Sequence, residues 1–576
     1  MTKHMVAGVV LAMGLLMTSM ATASESSQVA VPERMEQTNQ IAKTEADSKE
    51  ATIATGVELT DSQQRMLEKY YQILPELKKL TLQFVGNSET DSIWIWHFYQ
   101  ELPPGSSGID AASARLTFAA NSDELCTFDM SIPEWATEKL PSQELAKQQA
   151  AQFIKRVLGD KADLYQMNEQ LGYSGSSSSD SEGKEIRWSA RTISFDYLVN
   201  GIPFLNQALR VDVDAAGHIT GYYRQKMDNL DTGVFPDPAK AISQQEATDI
   251  FNQMIQMKLN YIQCQPLQFG MRGESRETRP VLMYAPVHAS SIDALSGEPI
   301  QEMGNLASQS ERVQLIGAGK QLLAQTKEEA AKVLVEEFKM DMGTMAFNHI
   351  HEHKDTFQGA TKYKDFSWST ANEPEDGNNI KYVHLQTVAD SGEVLRLSVQ
   401  DHSKAVKEER VSKELIRQRA LQFIQRYLAA GSTEMDLVSY DFDTIAWFDP
   451  KRKNKEELPE PVSHFSFYPL YQGIPVSDGG YFVSINNLTG EVVGYAKGGL
   501  DPSVRLPDKQ GIVTAEVAKA EYLKTHPLAL TYFWPEWLGQ RAPAPYLVYM
   551  PKPQAGVTYI DALTGQSVVI GYGDSD

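Results

Sequence analysis

Ser142 to Leu158 reads SQELAKQQAAQFIKRVL, and Ser412 to Leu428 reads SKELIRQRALQFIQRYL. Ten of the seventeen positions are identical at a constant offset of 270, without a gap. After Leu145, the residues Ala150, Phe153, Ile154 and Leu158 recur at three- and four-residue spacings, the pattern of a helix with one buried stripe. A Ser at the start of each suits an N-cap, because its hydroxyl can accept from an orphan N–H of the first turn.

The correspondence extends outward from this helix. Ser194-Phe195 and Gly201-Ile202-Pro203 return as Ser466-Phe467 and Gly473-Ile474-Pro475. Gly217-x-x-x-Gly221-Tyr222 returns as Gly490-x-x-x-Gly494-Tyr495. Pro280-x-Leu282-x-Tyr284-x-Pro286 returns as Pro545-x-Leu547-x-Tyr549-x-Pro551, and Ile292 to Gly297 as Ile560 to Gly565. Stretches such as Leu209 to Val213 alternate apolar and polar residues, which marks strands packed on one face. Asp214 to Gly217 and Asn486 to Gly490 carry the Asx/Gly chemistry of tight antiparallel turns. Offsets between 265 and 273 over most of the chain describe a tandem duplication.

The predicted fold is α+β: tandem repeats of a helix plus an antiparallel β-hairpin, arranged as two three-unit lobes. The first block spans 59–310, with units near 59–131, 140–228 and 240–301. The second spans 324–576, with units near 324–401, 410–500 and 511–572. Polar inserts at Ser174 to Glu185 and Lys451 to Pro461 fall between helix and hairpin in the middle units and read as long loops. The strand Ile93 to Phe98 is apolar on both faces and reads as buried.

Lys3 and His4, the apolar run Met5 to Met20 and Ala21-Thr22-Ala23 have the order of a secretory signal peptide over 1–23, with cleavage before Ser24. Residues 24–58 are rich in Ser, Thr, Glu, Gln and Ala and read as a disordered tether. The expected location is therefore secreted or at the extracellular cell surface, with no transmembrane segment after cleavage. The chain carries 53 basic and 75 acidic side chains, a net charge of −22. With no Lys/Arg stripe to offset it, that charge repels phosphate backbones and excludes nucleic acid as a partner. Two cysteines in 576 residues are too few for a disulfide scaffold. Cys126 and Cys264 can form one bridge in an oxidising compartment or stand as two buried thiols.

Candidate chemistry is sparse. His349, His351 and His353 alternate in His349-Ile350-His351-Glu352-His353, so on a strand they share a face, and three imidazoles can hold zinc. The alternative is a solvated strand end, and no other cofactor is expected. Tyr532, Trp534 and Trp537 form an aromatic cluster that reads either as core or, if exposed, as a binding patch. Neither His-Glu-x-x-His nor Gly-x-Ser-x-Gly occurs, and the repeats leave no room for a catalytic domain. No catalytic residue is assigned, and the chain is expected not to be an enzyme.

Val483 to Tyr495 (VSINNLTGEVVGY) and Ile560 to Ile570 (IDALTGQSVVI) resemble the hairpin of the PepSY module. The three-unit block as a whole resembles the YcdB/YcdC repeated domain of Gram-positive bacteria, over nearly all of 59–572. The resemblance implies a non-catalytic exported module. PepSY modules occur in propeptides of secreted metallopeptidases, as inhibitory folding aids, and in a spore-germination protein that controls a cortex-lytic enzyme. The expected function is thus protein binding, with exported proteins such as a peptidase or cell-wall hydrolase as partners. A passive envelope spacer and a metal-binding protein are the alternatives.

Overall fold

Helix starts and hairpin turns set the architecture, and both follow from short polar side chains. The computed structural model describes residues 57, 59–88, 93–100, 111–119, 122–179, 185–225, 227, 230–264, 279–287, 291–300, 309–354, 361–370, 381–401, 410–440, 447–449, 462–499, 504–537, 539–552 and 556–571. The expected signal peptide and, apart from Val57, the tether lie outside them.

Among the described residues there are six α-helices: α1 (Asp61–Ile73), α2 (Gln143–Leu158), α3 (Gln244–Met254), α4 (Lys327–Glu336), α5 (Lys413–Tyr427) and α6 (Ala515–Thr525). Each begins at a Ser or Thr whose hydroxyl accepts from the third N–H of the helix: Thr60, Ser142, Ser243, Thr326, Ser412 and Thr514. Full capping boxes form at Thr60/Gln63 and Thr326/Glu329.

The first unit contributes β1 (Thr81–Ser88), β2 (Ile93–Tyr99), β3 (Ser113–Ala119) and β4 (Leu125–Ser131). The second contributes β5 (Tyr165–Ser179), β6 (Glu185–Val199), β7 (Ile202–Asp214) and β8 (Ile219–Arg224). After α3 come β9 (Gln256–Cys264), β10 (Arg279–Val287), β11 (Ser291–Asp293) and β12 (Pro299–Ile300). β13 (Gln309–Gly317) precedes α4, which is followed by β14 (Met345–Lys354), β15 (Lys362–Thr370), β16 (Lys381–Val388) and β17 (Val394–Asp401). After α5 stand β18 (Gly431–Tyr440), β19 (Val462–Tyr471), β20 (Ile474–Pro475), β21 (Tyr481–Asn486) and β22 (Val492–Lys497). The last unit adds β23 (Leu528–Phe533), β24 (Glu536–Trp537), β25 (Gln540–Arg541), β26 (Tyr546–Pro551), β27 (Gly556–Asp561) and β28 (Ser567–Gly571).

The duplication is visible in strand order. The first repeat runs β1-β2-β3-β4-β8-β7, with β6 and then β5 beyond β7. The second runs β14-β15-β16-β17-β22-β21-β19-β18. The seam between the first two units recurs as Phe128 opposite Tyr222 and as Leu397 opposite Tyr495. The first two units of each repeat thus hold four-stranded meanders, where the sequence pattern suggested single hairpins. The Ser-rich insert also departs from expectation: Ser174–Ser179 continues β5 and pairs with β6 out to Ser179 opposite Glu185. The tip of that insert and residues 451–461 of the other lie outside the described residues.

The turns work as their composition predicts. Asp293 Oδ1 accepts from Leu295 and Ser296 N–H, both at 2.8 Å, and Asp561 Oδ1 from Leu563 and Thr564 at 3.0 and 2.7 Å. Asn486 Oδ1 does the same for Leu488 and Thr489. Gly297, Gly490 and Gly565 then take φ of 76°, 71° and 72°, where a Cβ would be strained.

Two principal hydrophobic cores result. One lies beneath α4 and α5 and contains Leu334, Phe338, Phe423, Val483 and Tyr495. The other holds Phe118, Phe153, Tyr222, Phe251 and Tyr261 of the first repeat together with Ala518, Tyr532, Leu547 and Ile560 of the last unit. The expected two three-unit lobes do not stand as independent bodies, because sheets and core are shared across the repeats. β23 and β26 continue the first repeat's sheet into β11 and β12, and β28-β27-β10-β9 form a sheet shared by the third and last units. Neither short unit buries its own strands alone, so each completes its sheet with the other. β2 is buried on one face only, through Trp96 and Phe98, while Trp94 and Ile95 are half-exposed.

Candidate functional site

Alternation on β14 places His349, His351 and His353 on one face, as the sequence predicts. A bulge between Phe347 and His349 returns Phe347 to the inner face, where its ring meets Trp368 edge-on at 5.4 Å. The outward face continues across β15 and β16, because His349 stands opposite Ser367, His351 opposite Asp365, Ser367 opposite His384 and Asp365 opposite Gln386. His349 and His351 are exposed and His353 is partly covered. His351 and His353 stack at 5.6 Å between ring centres.

Asp365 is the centre of this face. His353 Nδ1 lies 3.0 Å from its Oδ2, His384 Nε2 lies 3.3 Å from its Oδ1, and Gln386 Nε2 donates to Oδ1 at 3.0 Å. Burial works to raise its pKa, but the hydrogen bond and charge of His384, with help from Gln386 and His353, hold the carboxyl below the usual range.

Zinc binding by the three histidines meets a geometric objection. Alternate residues on a strand stand about 6.6–6.8 Å apart. The first and third rings are thus rooted about 13 Å apart, whereas zinc needs nitrogens at about 2.0–2.1 Å. Among the described residues no group of three His, Cys, Asp or Glu side chains converges to hold a metal ion.

The aromatic cluster resolves differently from a binding patch. Tyr532 is fully buried, and its hydroxyl donates to the Pro236 carbonyl at 2.5 Å and accepts from Asn200 Nδ2 at 3.4 Å. Phe235 meets the Tyr532 and Trp534 rings edge-on at 5.0 and 5.6 Å. Trp534 Nε1 donates to the Ala542 carbonyl at 2.8 Å, and Arg541 covers its ring. These residues seat the last unit on the first repeat, so the patch reading is corrected for Tyr532 and Trp534. Trp537 is half-exposed on the small β24–β25 hairpin and takes no part in that packing cluster.

Cys126 is half-buried on β4, with Sγ 3.8 Å from the Glu124 carbonyl. The side chain of Cys264, at the end of β9, lies outside the described residues, and so does the Cys126–Cys264 pairing.

One polar cluster escaped sequence reading because its two sides, His526 on the helix end and Thr558 on the strand, are 32 residues apart. His526, buried at the end of α6, has Nδ1 facing the Tyr522 carbonyl at 3.2 Å and Nε2 2.8 Å from Thr558 Oγ1 on β27. Its ring stacks on Tyr522, and burial pushes its pKa down. With the proton on Nδ1, the ring bridges helix to strand, and Glu521 and Ser567 line the adjoining cleft of about 280 Å³. This is a latch between helix and sheet.

The sheet edges complete the geometry. Among the described residues β14 pairs only with β15, and Ile350 on it is 48% exposed. β1 ends the other sheet and has a bulge at the matching place, between Leu82 and Phe84.

Comparison with known proteins agrees with the duplication. The YcdB, YcdC repeated domain matches residues 76–226 and 345–499. Among solved structures, the C-terminal domain of Bacillus megaterium YpeB is similar at 14% identity, over 42% of this chain and 95% of that one, with a TM-score of 0.23. The comparison with curated proteins gives no match. No helix among the described residues is long and apolar enough to cross a membrane. The two matched segments cover more than half of the chain and coincide with the two copies of the eight-strand order, so the chain belongs to the YcdB/YcdC repeated-domain family.

Proposed function

We propose that this chain is an exported, non-catalytic protein-binding module that modulates a secreted hydrolase, a peptidase or a cell-wall enzyme, at the extracellular cell surface. The observation that carries the reading is the ten-residue edge strand β14, paired on one side among the described residues, with Ile350 exposed. Such an edge accepts an extended peptide as an added strand, with main-chain bonds supplying affinity and alternate side-chain positions specificity. The histidine face beside it gives that strand polar neighbours. The PepSY likeness of the repeats and the lack of catalytic motifs support the same reading.

The test is capture of the host's own exported proteins on immobilised residues 24–576. One hydrolase is expected to be retained, with its activity changed by added protein, and Ile350→Lys is expected to weaken retention by charging the edge. Hydrolase activity in the pure protein, abolished by a single side-chain change, overturns the reading.

A second reading, a passive envelope spacer, draws on the matching bulges in β1 and β14, since bulges also blunt edges against pairing. Absence of any specifically retained protein supports it. Metal binding through His349, His351 and His353 is a third reading, tested separately by zinc.

A further inference from the structure

The contacts that the third and last units make across the two repeats obey an exchange rule. Tyr532 of β23 pairs in parallel with Phe204, just after Gly201-Ile202-Pro203. Tyr261 of β9 pairs in parallel with Val476, just after Gly473-Ile474-Pro475. Tyr261 and Tyr532 are equivalent at an offset of 271, and Phe204 and Val476 at 272. Each repeat therefore extends a tyrosine strand onto the middle unit of the other.

The exchange continues through the hairpins. Tyr532 Oη donates to Pro236 O at 2.5 Å, and Tyr261 Oη to the equivalent Pro507 O at 2.9 Å. Tyr284 of β10 stands opposite Ile560 of β27, while its equivalent Tyr549 of β26 stands opposite Ile292 of β11. Tyr284 Oη donates to Val513 O at 2.9 Å, and Tyr549 Oη to the equivalent Ile242 O at 2.8 Å. Ala562 N–H donates to Leu282 O at 2.9 Å, and Ala294 N–H to Leu547 O at 2.8 Å. Residue i meeting j while the equivalent of j meets the equivalent of i is the signature of a two-fold, self-complementary interface. All four tyrosines are at most 6% exposed.

We infer that the third and last units form a homotypic docking surface whose partner is a second copy of the same three-unit block. In this chain the partner is supplied in cis. The two halves hold together without the peptide link, and the same surface pairs halves from separate chains. The occupant follows from the reciprocity itself: only a block with the same Tyr strand, the same Gly-Ile-Pro segment and the same hairpin satisfies both sides at once.

The experiment uses the full chain with a protease site inserted between Ile300 and Gln309, folded first and then cut. The cut protein is expected to keep the mass of the uncut chain in light scattering at micromolar concentration. Mixed with a cut sample carrying a tag on the second half, it is expected to exchange halves over time. Separation of the wild-type halves overturns the inference, and that measurement needs no variant. Tyr261→Phe with Tyr532→Phe removes one hydroxyl from each side and is expected to raise the dissociation constant of the cut halves about 10- to 100-fold. An unchanged constant overturns the assignment of the hold to these strands.

Discussion

Lys258 Nζ lies 2.8 Å from Asp436 Oδ2, joining β9 of the first repeat to β18 of the second. Asp436 is 3% exposed, and its other oxygen accepts from Ser310 Oγ at 2.9 Å, with Arg312 Nε at 3.6 Å. The position equivalent to Lys258 in the last unit is Ala529, so the ion pair belongs to one side of the exchanged joint. The reciprocal side is held by the aromatic cluster of Phe235, Tyr532 and Trp534. The joint is symmetric in backbone pairing and asymmetric in side-chain chemistry.

Removing one partner of a buried pair leaves a charge without its counter-ion. Lys258→Met is therefore expected to destabilise the protein by about 2 kcal/mol, below the usual loss for a fully buried pair because Lys258 is part-exposed and Ser310 and Arg312 remain. Lys258→Met with Asp436→Leu is expected to recover at least half of that loss. Urea denaturation of the single and double variants gives the coupling, and strictly additive losses would show that the pair does not act as one.

His464 sets an acid limit on the second repeat. It is packed on Phe482, its Nδ1 lies 2.8 Å from Ser484 Oγ, and burial lowers its pKa from 6.5 to about 4. The unfolded chain then takes up the proton first as pH falls, so stability is full above about pH 6.5 and declines as pH falls toward 4. The loss approaches about 3 kcal/mol once both states are protonated. His464→Gln keeps a polar side chain without the titration and is expected to flatten this limb in melting curves between pH 7 and 4. His97, lowered to about 4 by burial and Arg115, contributes in the same direction from the first repeat.

Zinc separates the metal reading from the rest. The strand spacing roots His349, His351 and His353 too far apart to meet at one ion, and among the described residues no group of three such side chains is placed to hold one. Added zinc is expected to change the melting temperature of the wild type and of a His349/His351/His353→Ala variant equally. A rise confined to the wild type would establish the site, since a ligand bound only to the native state stabilises it.

Much of this was readable from residues. The Ser142 and Ser412 helices, the Asx/Gly turns and the duplication are local signals, written at spacings of three to five residues or as recurrences, and the structure places them as read. What was not readable is which strand meets which. Tyr261 lies in a strand that alternates apolar and polar residues and Tyr532 in a largely apolar one, patterns that suit any core, and nothing local says that the core belongs to the other repeat. The same holds for Tyr532 and Trp534 as a surface patch, because Phe235, which covers them, is some 300 residues away. His526 and Thr558 meet for the same reason, through α6 packing on β27, without any motif.

Gly494 tests the repeat's Gly-x-x-x-Gly signature directly. The first glycine of that signature, Gly490, serves the turn, whereas Gly494 lies within β22 at ordinary strand φ. A Cβ there would stand 2.8 Å from Ser484 Oγ and 2.9 Å from Ser484 Cβ, and at the equivalent Gly221 it would stand 2.7 Å from Asp212 Oδ2. The second glycine is thus required by cross-strand contact with β21 or β7. Gly494→Ala forces β22 away from β21 beside the buried Val483, Ile485 and Tyr495 and is expected to cost about 1–3 kcal/mol, the range for overpacking. Gly499→Ala is the control, because a Cβ at Gly499 meets nothing within 4 Å. That change is expected to stay within about 0.5 kcal/mol of wild type, as for an ordinary surface substitution. Equal stability of the two variants in thermal melts would mean that β22 can shift freely, and would remove the packing reason for the motif.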